Sequence, residues 1–371
     1  MAPRDGIGTA TRGRLERHLA ATAEWLERSI QRGSGGSCAY FSPAGGWSRP
    51  YPETTGYLIP TLLELEEVLP GFAGAGRAEG LGAWLLSIQD TEGWWRGGVH
   101  PPKGDSEPSV FNTAQILQGL VALHDRTGED RWISAARRAG RWLAAGVDES
   151  GLWPGGDYRS DVTPSYYSYA AWPMLEVATR CGDDEMIRKA AEGALDAILA
   201  RRRPNGTFAL WGFTEDEPAF THTIAYTLQG FVSSARLTGD WDRFGKPAEE
   251  GLRALASRAS EAEGRLPGRL DDDWGPAAGY LCLTGNAQIA LCLLDWDEVA
   301  PAPGRERTAA LLAGAVCSAQ RLRSPLPGIR GAVGGSAPLW GRYMVLRYPN
   351  WAAKYHCDAL MRLLSRPGGD A

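Results

Sequence analysis

Apolar positions recur at helical spacing along most of the chain, in two alternating kinds of segment. One kind is amphipathic and partly charged, at 14–31, 77–89, 131–145, 184–202, 249–262 and 305–320. The other carries few charges and many aromatic and small residues, beginning near Glu53, Ser109, Ser165, Thr221, Leu281 and Asn350. A helix with one polar face meets solvent, whereas one that is apolar on most sides is buried. The alternation therefore predicts outer helices wrapped around inner ones.

Spacing turns the alternation into a repeat. Pro52, Pro108 and Pro164 stand 56 residues apart, each just before an inner segment, where the fixed φ and missing N–H of proline cost least. Phe220 continues the interval ahead of Thr221 and His222. Gly56, Ala114, Ala170, Ala225, Ala287 and Ala353 form a second column, small enough for inner helices to approach closely. The loops echo one another too: Gly93 and Trp95, Gly151 and Trp153, Gly206 and Phe208 read as a repeated Gly-x-aromatic turn whose ring plugs a seam between hairpins.

One helical hairpin cannot bury both of its apolar faces, but a stacked or closed array can. Neither terminal hairpin reads as a charged cap, and the last helix, 351–364, is as apolar as the middle ones, so closure is favoured. The expected fold is all-α, a single-domain (α/α)6 toroid of about six hairpins over 13–365, flanked by flexible segments 1–12 and 366–371.

Composition narrows the function. The 371 residues are 43% apolar and 22% charged, with a net charge of -5, an ordinary globular balance without the basic surface that nucleic acid requires. The run Arg201, Arg202, Arg203 falls at a helix end, where cations complement the dipole. Six cysteines, Cys38, Cys181, Cys282, Cys292, Cys317 and Cys357, are scattered without zinc-site spacing and are expected to be free thiols. Neither an export signal nor an apolar membrane span is evident, which predicts a cytoplasmic protein. Glycine-rich nucleotide and phosphate loops are missing, so no cofactor is expected, although acidic loop runs leave a divalent cation open. The oligomeric state is not specified.

The segment Gln89-Asp90-Thr91-Glu92-Gly93-Trp94-Trp95 resembles the Gln-x-x-x-Gly-x-Trp motif of terpenoid cyclase and prenyltransferase toroids, where the motif is structural. The chain as a whole more closely resembles a bacterial group of toroids associated with polysaccharide and other sugar pathways. That likeness rests on Tyr51-Pro52-Glu53-Thr54-Thr55-Gly56-Tyr57, Thr221-His222-Thr223-Ile224-Ala225-Tyr226, Cys282-Leu283-Thr284-Gly285-Asn286-Ala287-Gln288 and Pro349-Asn350-Trp351-Ala352-Ala353-Lys354. It implies kinship to glycan-binding toroids, including uronyl C5-epimerases, lyases and six-hairpin glycosidases.

In such a ring the starts of the inner helices surround a cavity mouth, and polar and aromatic clusters fall there. The first holds Trp47, Arg49, Tyr51, Glu53, Thr54 and Tyr57; Glu53 suits an acid or base, or merely favours its helix start. The second holds Asp105, Glu107, Phe111, Asn112 and Gln115, and the third Asp157, Arg159, Asp161, Tyr166, Tyr167 and Tyr169, suited to sugar binding or to packing. His222, followed one turn later by Tyr226, is the best single catalytic candidate, with a buried structural histidine as the alternative. Glu215, Asp216 and Glu217, and Asp271, Asp272 and Asp273, offer Asp216 and Asp272 as hydrolytic or cation-binding carboxylates, or as solvated loop charges. Trp274, Tyr280, Asn286, Gln288, Arg342, Tyr343, Trp351 and Lys354 complete the aromatic and polar set.

A mixture of aromatic faces and hydrogen-bonding groups fits a carbohydrate better than a hydrocarbon. The leading expectation is an enzyme acting on an oligosaccharide or activated sugar. With a uronate, Arg342 or Lys354 would hold the carboxylate while His222 and Tyr226 move the C5 proton in epimerisation or elimination. With a neutral glycan, Glu53 and Asp216 or an aspartate of 271–273 would hydrolyse it. A terpenoid cyclase is disfavoured because Leu270-Asp271-Asp272-Asp273 lacks the first aspartate of Asp-x-Asp-Asp. A non-catalytic carbohydrate-binding protein is the remaining alternative.

Overall fold

Local signals in the sequence account for where the helices begin and end. A computed structural model describes residues 9–102, 107–214 and 217–366. Its helices are α1 (Thr9–Gln31), α2 (Pro52–Val68), α3 (Gly74–Ser87), α4 (Val110–Thr127), α5 (Asp130–Ala145), α6 (Ser168–Arg180), α7 (Glu185–Leu199), α8 (Thr221–Thr238), α9 (Lys246–Glu261), α10 (Leu283–Val299), α11 (Arg305–Ala319) and α12 (Asn350–Leu364). Pro52 occupies the first turn of α2, and the Ser109 hydroxyl caps α4 by accepting from the Asn112 amide at 3.0 Å. Gly128 and Gly239, at φ 70° and 73°, end α4 and α8 in the left-handed conformation that glycine adopts without strain. The third inner segment enters as a 3-10 turn, Ser165–Tyr167, ahead of α6.

Helices α2, α4, α6, α8, α10 and α12 pack side by side in that order, and α12 returns to α2. Each is backed by an outer helix: α3, α5, α7, α9 and α11 back α2 to α10, and α1 backs α12. The ring is thus closed, and its sixth hairpin is assembled from both ends of the described chain. Thr61 of α2 donates to Asp358 of α12 at 2.7 Å, and Asn350 donates to Thr54 at 2.8 Å, across the closing contact. The small-residue column sits at the inner contacts. A Cβ on Gly56 would come within 2.5 Å of the Ile116 backbone, so α2 and α4 touch where only glycine fits.

The Gly-x-aromatic turns are structural, as expected. Trp95, Trp153 and Phe208 are buried, and the indoles of Trp95 and Trp153 donate to the carbonyls of Leu85 and Leu143 at 2.9 and 3.0 Å. Their glycines have positive φ and press against the next outer helix, and the same device recurs with aliphatic plugs as Gly264-x-Leu266 and Gly331-x-Val333. A Cβ on Gly331 would stand 2.1 Å from the Ala21 carbonyl of α1, so this stitch also joins the chain's two ends.

Short antiparallel strands, too brief for a periodicity to reveal, tie the loops at one rim. They are β1 (Tyr40–Ser42), β2 (Gly46–Trp47), β3 (Ala219–Phe220), β4 (Arg269–Leu270), β5 (Leu281–Cys282), β6 (Ser336–Ala337) and β7 (Tyr348–Pro349). The first sheet runs β2-β1-β7, with Phe41 opposite Trp47 and Tyr40 opposite Pro349; β3 pairs with β4, and β5 with β6. All six cysteines are free thiols. No helix among the described residues is long and apolar enough to cross a membrane. Helix α1 begins at Thr9, inside the segment expected to be flexible; residues 1–8 and 367–371 lie outside the described residues.

Candidate functional site

The starts of α2, α4, α8 and α12, the 3-10 turn before α6 and the loops at that rim enclose a cavity of about 890 Å³. Of the residues singled out in the sequence, Tyr51, Glu53, Thr54, Tyr57, Glu107, Phe111, Asn112, Asp157, Tyr166, His222, Tyr226, Tyr343 and Trp351 line it. Glu53 follows Pro52 in the first turn of α2, where the helix axis aims it inward, and it is buried. Loss of water pushes its carboxyl up to about 8, against a hydrogen bond from Tyr51 and with the help of the negative charge of Asp157. Glu53 is therefore largely protonated at neutral pH.

Asp157 stands at the tip of a tight turn in which the amides and carbonyls of Gly156 and Arg159 bond to one another at 2.6 and 3.0 Å. Asp157 is exposed and lines the cavity. Desolvation raises its carboxyl to about 6, opposed by a hydrogen bond that Ser109 donates at 2.8 Å. Two carboxyls in one cavity are thus separated in acidity, Glu53 holding a proton and Asp157 mostly ionised near pH 7.

His222 presents its ring to the same space from the first turn of α8. Burial pushes the imidazole down to about 4, so it is neutral, although its hydrogen bond with Gln288 works the other way. The rings of His222 and Tyr226 lie 4.3 Å apart, and Tyr226 stacks on Tyr169 at 4.6 Å. Burial holds the phenols of Tyr51, Tyr57, Tyr166, Tyr226 and Tyr343 well above their ordinary range, as neutral donors. Two lining atoms, Asn112 Oδ1 and the Tyr166 hydroxyl, are buried with no hydrogen-bond partner. A polar atom in that state is a place where a ligand hydroxyl gains most.

Other expected site residues stand behind the wall. Gln115 donates to the Tyr169 carbonyl at 2.9 Å, the Tyr167 hydroxyl accepts from the Asp157 amide at 2.8 Å, and Asn286 donates to the Gly264 carbonyl at 2.8 Å. Lys354 is paired with Asp358 at 2.7 Å and lies against the Tyr355 ring. Gln115 thereby joins two inner helices, Tyr167 and Asn286 hold loops, and the Lys354 pair lies within α12.

A third set sits apart from the cavity. Trp47 packs on Trp25 and Phe41, Arg49 donates to the Pro101 carbonyl at 2.5 Å, and Arg342 is exposed. The aspartate run makes a surface turn. The Asp271 carboxylate accepts from the amides of Asp273 and Gly275, and Asp272 pairs with Arg203 at 2.8 Å. With Glu217, Asp271 and Asp272 edge a separate groove of about 460 Å³, and Trp274 is buried nearby on Trp211. Asp216 and Asp105 lie outside the described residues. Among the described residues the group able to hold a metal is not acidic: it is His18, Cys317 and His356, none of which lines the cavity.

Sequence reasoning placed Asp157 in a cluster suited to sugar binding or packing without giving it a catalytic role, passed over Tyr158, Ser160, Phe213 and Met344, and left Phe111 and Tyr343 in the background. For Asp157 and Tyr158 a signal was present: the paired glycines 155 and 156 ahead of them mark a turn whose tip projects. Phe213 and Met344 come from irregular loops whose direction no spacing encodes.

No protein-family model matches the chain, and no curated protein matches it by sequence. Solved structures do match over nearly the whole length. An unsaturated glucuronyl hydrolase specific for heparin superposes with a TM-score of 0.73 at 16% identity, covering 95% of this chain and 97% of that one. The unsaturated glucuronyl hydrolase of Bacillus sp. GL1 gives 0.71 at 16% identity, covering 94% and 96%. A cellobiose 2-epimerase from Bacillus thermoamylovorans gives 0.75 at 9% identity, covering 97% and 100%. The six-hairpin toroid of this chain is the fold of these carbohydrate-active enzymes.

Proposed function

We propose that the cavity binds a neutral oligosaccharide and hydrolyses a glycosidic bond, with Glu53 as the acid and Asp157 as the base. The observation that carries this reading is the split acidity of two carboxyls facing one cavity. In the step inferred, Glu53 gives its proton to the leaving glycosidic oxygen as the C–O bond breaks. Asp157 takes a proton from the water that adds to the anomeric carbon. One water is consumed, and the two carboxyls exchange protonation states.

Substrate class follows from the lining. Aromatic faces of Tyr51, Tyr57, Tyr166 and Trp351 suit the C–H face of a sugar, and the unpartnered Asn112 and Tyr166 atoms suit its hydroxyls. The described lining residues include Glu53, Glu107 and Asp157 but no arginine or lysine, which favours a neutral sugar over a uronate. Likeness of fold to glycan hydrolases is in keeping with the reading.

A second reading, sugar epimerisation or elimination, is favoured by His222, a neutral imidazole whose Gln288 contact orients it. One experiment separates them. The protein is incubated with neutral, uronate-containing and unsaturated-uronyl oligosaccharides, and products are followed by mass and NMR. Hydrolysis adds the mass of water and is lost in Glu53→Gln and Asp157→Asn; epimerisation leaves mass unchanged and is lost in His222→Gln. Turnover that survives both carboxyl substitutions would refute the leading reading.

A further inference from the structure

Between outer helices α1 and α11 and inner helix α12, three side chains meet that do not line the cavity. His18, Cys317 and His356 are 5%, 3% and 0% exposed, and one ligand atom of each lies within 4.8 Å of the others. We propose that these residues bind a single Cu(I) ion that fastens α1 to α11 and α12.

Protonation around the cluster is already arranged for coordination. The Gln320 amide nitrogen donates to Thr22 Oγ1 at 2.7 Å and to the Gly331 carbonyl at 2.8 Å, which fixes the orientation of its oxygen. That oxygen lies 2.6 Å from His18 Nδ1 and can only accept, so His18 carries its proton on Nδ1 and its lone pair on Nε2. Both rings are buried, and burial favours the neutral imidazole that a metal ion needs. His356 Nε2 is the ring nitrogen turned toward Cys317, and its Nδ1 atom is buried without a partner.

Distance and charge select the ion. Cys317 Sγ stands 3.9 Å from His356 Nε2. A thiolate and an imidazole at about 2.3 and 2.1 Å from one ion, 120° apart, would stand about 3.8 Å from each other, which suits a planar three-coordinate site. Soft thiolate and imidazole ligands without a carboxylate select Cu(I) or zinc. The cations that bear on the cluster are Arg14, which faces both His18 and Cys317, and Arg17, which faces His18. Binding releases the thiol proton, so a Cu(I) thiolate with two neutral imidazoles is uncharged, whereas Zn²⁺ would leave one positive charge buried beside these guanidiniums.

The test titrates the full-length protein anaerobically with Cu(I) held by a competing chromophoric chelator, with Zn²⁺ in parallel. One equivalent of Cu(I) should be taken from the chelator by the wild type and not by Cys317→Ser or His356→Gln, with the melting temperature of the wild type raised by the metal. X-ray absorption at the copper edge, which needs only the wild type, should show one sulfur and two imidazole nitrogens. Uptake unchanged in both variants, a shell of several sulfurs, preference for Zn²⁺, or no uptake of Cu(I) would each overturn the proposal.

Discussion

Gln288 of α10 presents its side-chain oxygen to Nδ1 of His222 in α8 at 2.5 Å. The Gln288 nitrogen faces Gln229 at 3.5 Å, so the oxygen accepts and His222 keeps its Nε2 lone pair free. Replacing Gln288 by Glu puts a negative charge beside the ring and should raise the imidazole from about 4 toward or past its ordinary value. NMR titration of the ring protons reads this directly. Hydrolysis by the carboxyl pair should change little, whereas a reaction using His222 as base should have the acidic limb of its pH profile moved upward.

The acid and base assignments predict a bell-shaped dependence of kcat/KM on pH. Its acidic limb follows Asp157 near 6 and its alkaline limb follows Glu53 near 8. Glu53→Gln and Asp157→Asn should each lower kcat by about 10² to 10⁴, and a flat profile in the wild type would contradict both roles.

Stability should carry the mark of Glu53 as well. Its carboxyl titrates near 4.5 in an unfolded chain and near 8 in the fold, so the folded state holds the extra proton across that window. Raising pH through the window therefore destabilises the protein. Glu53→Gln removes the loss: its melting temperature should match the wild type at pH 4 and exceed it increasingly up to pH 8, as differential scanning calorimetry would record.

Gly331 holds φ 83° against the Ala21 carbonyl. Gly331→Ala imposes both backbone strain and a collision, and should cost about 1–3 kcal/mol. Hydrogen exchange should locate the damage in α1, with the amides of α4 and α5 little changed.

Tyr166→Phe deletes a buried hydroxyl that has no partner in the free protein. The variant should melt no lower than the wild type, yet bind its sugar about tenfold more weakly, a separation that calorimetry and ligand titration would establish.

The ring was legible because a repeated unit writes its constraints many times over. Pro52, Pro108 and Pro164, and the buried Trp95, Trp153 and Phe208, each report the same local geometry, so one ambiguous helix is corrected by its neighbours. The cavity is not repeated, and legibility fell accordingly. Glu53 and His222 could be placed because they occupy the first turns of inner helices, whose direction is set by the fold. Asp272 belongs to an acidic run that serves a surface turn away from the cavity, and Lys354 pairs with Asp358 one helical turn away, partnerships that no residue spacing announces. Asp157 depends on a loop that aims its tip across the ring, a fact that lives in three dimensions.

Helix α1 is synthesised long before the helix it packs on. Its seat is α12, more than 300 residues downstream, which synthesis at about 5–20 residues per second delivers on the order of 15–60 s later. Throughout that wait the apolar face carrying Leu15, Leu19 and Trp25 has no permanent place to rest, while five hairpins form behind it. Until α12 is made the nascent chain is therefore an open arc with one sticky end, a natural client for a holding chaperone, and it becomes a ring only once that helix emerges.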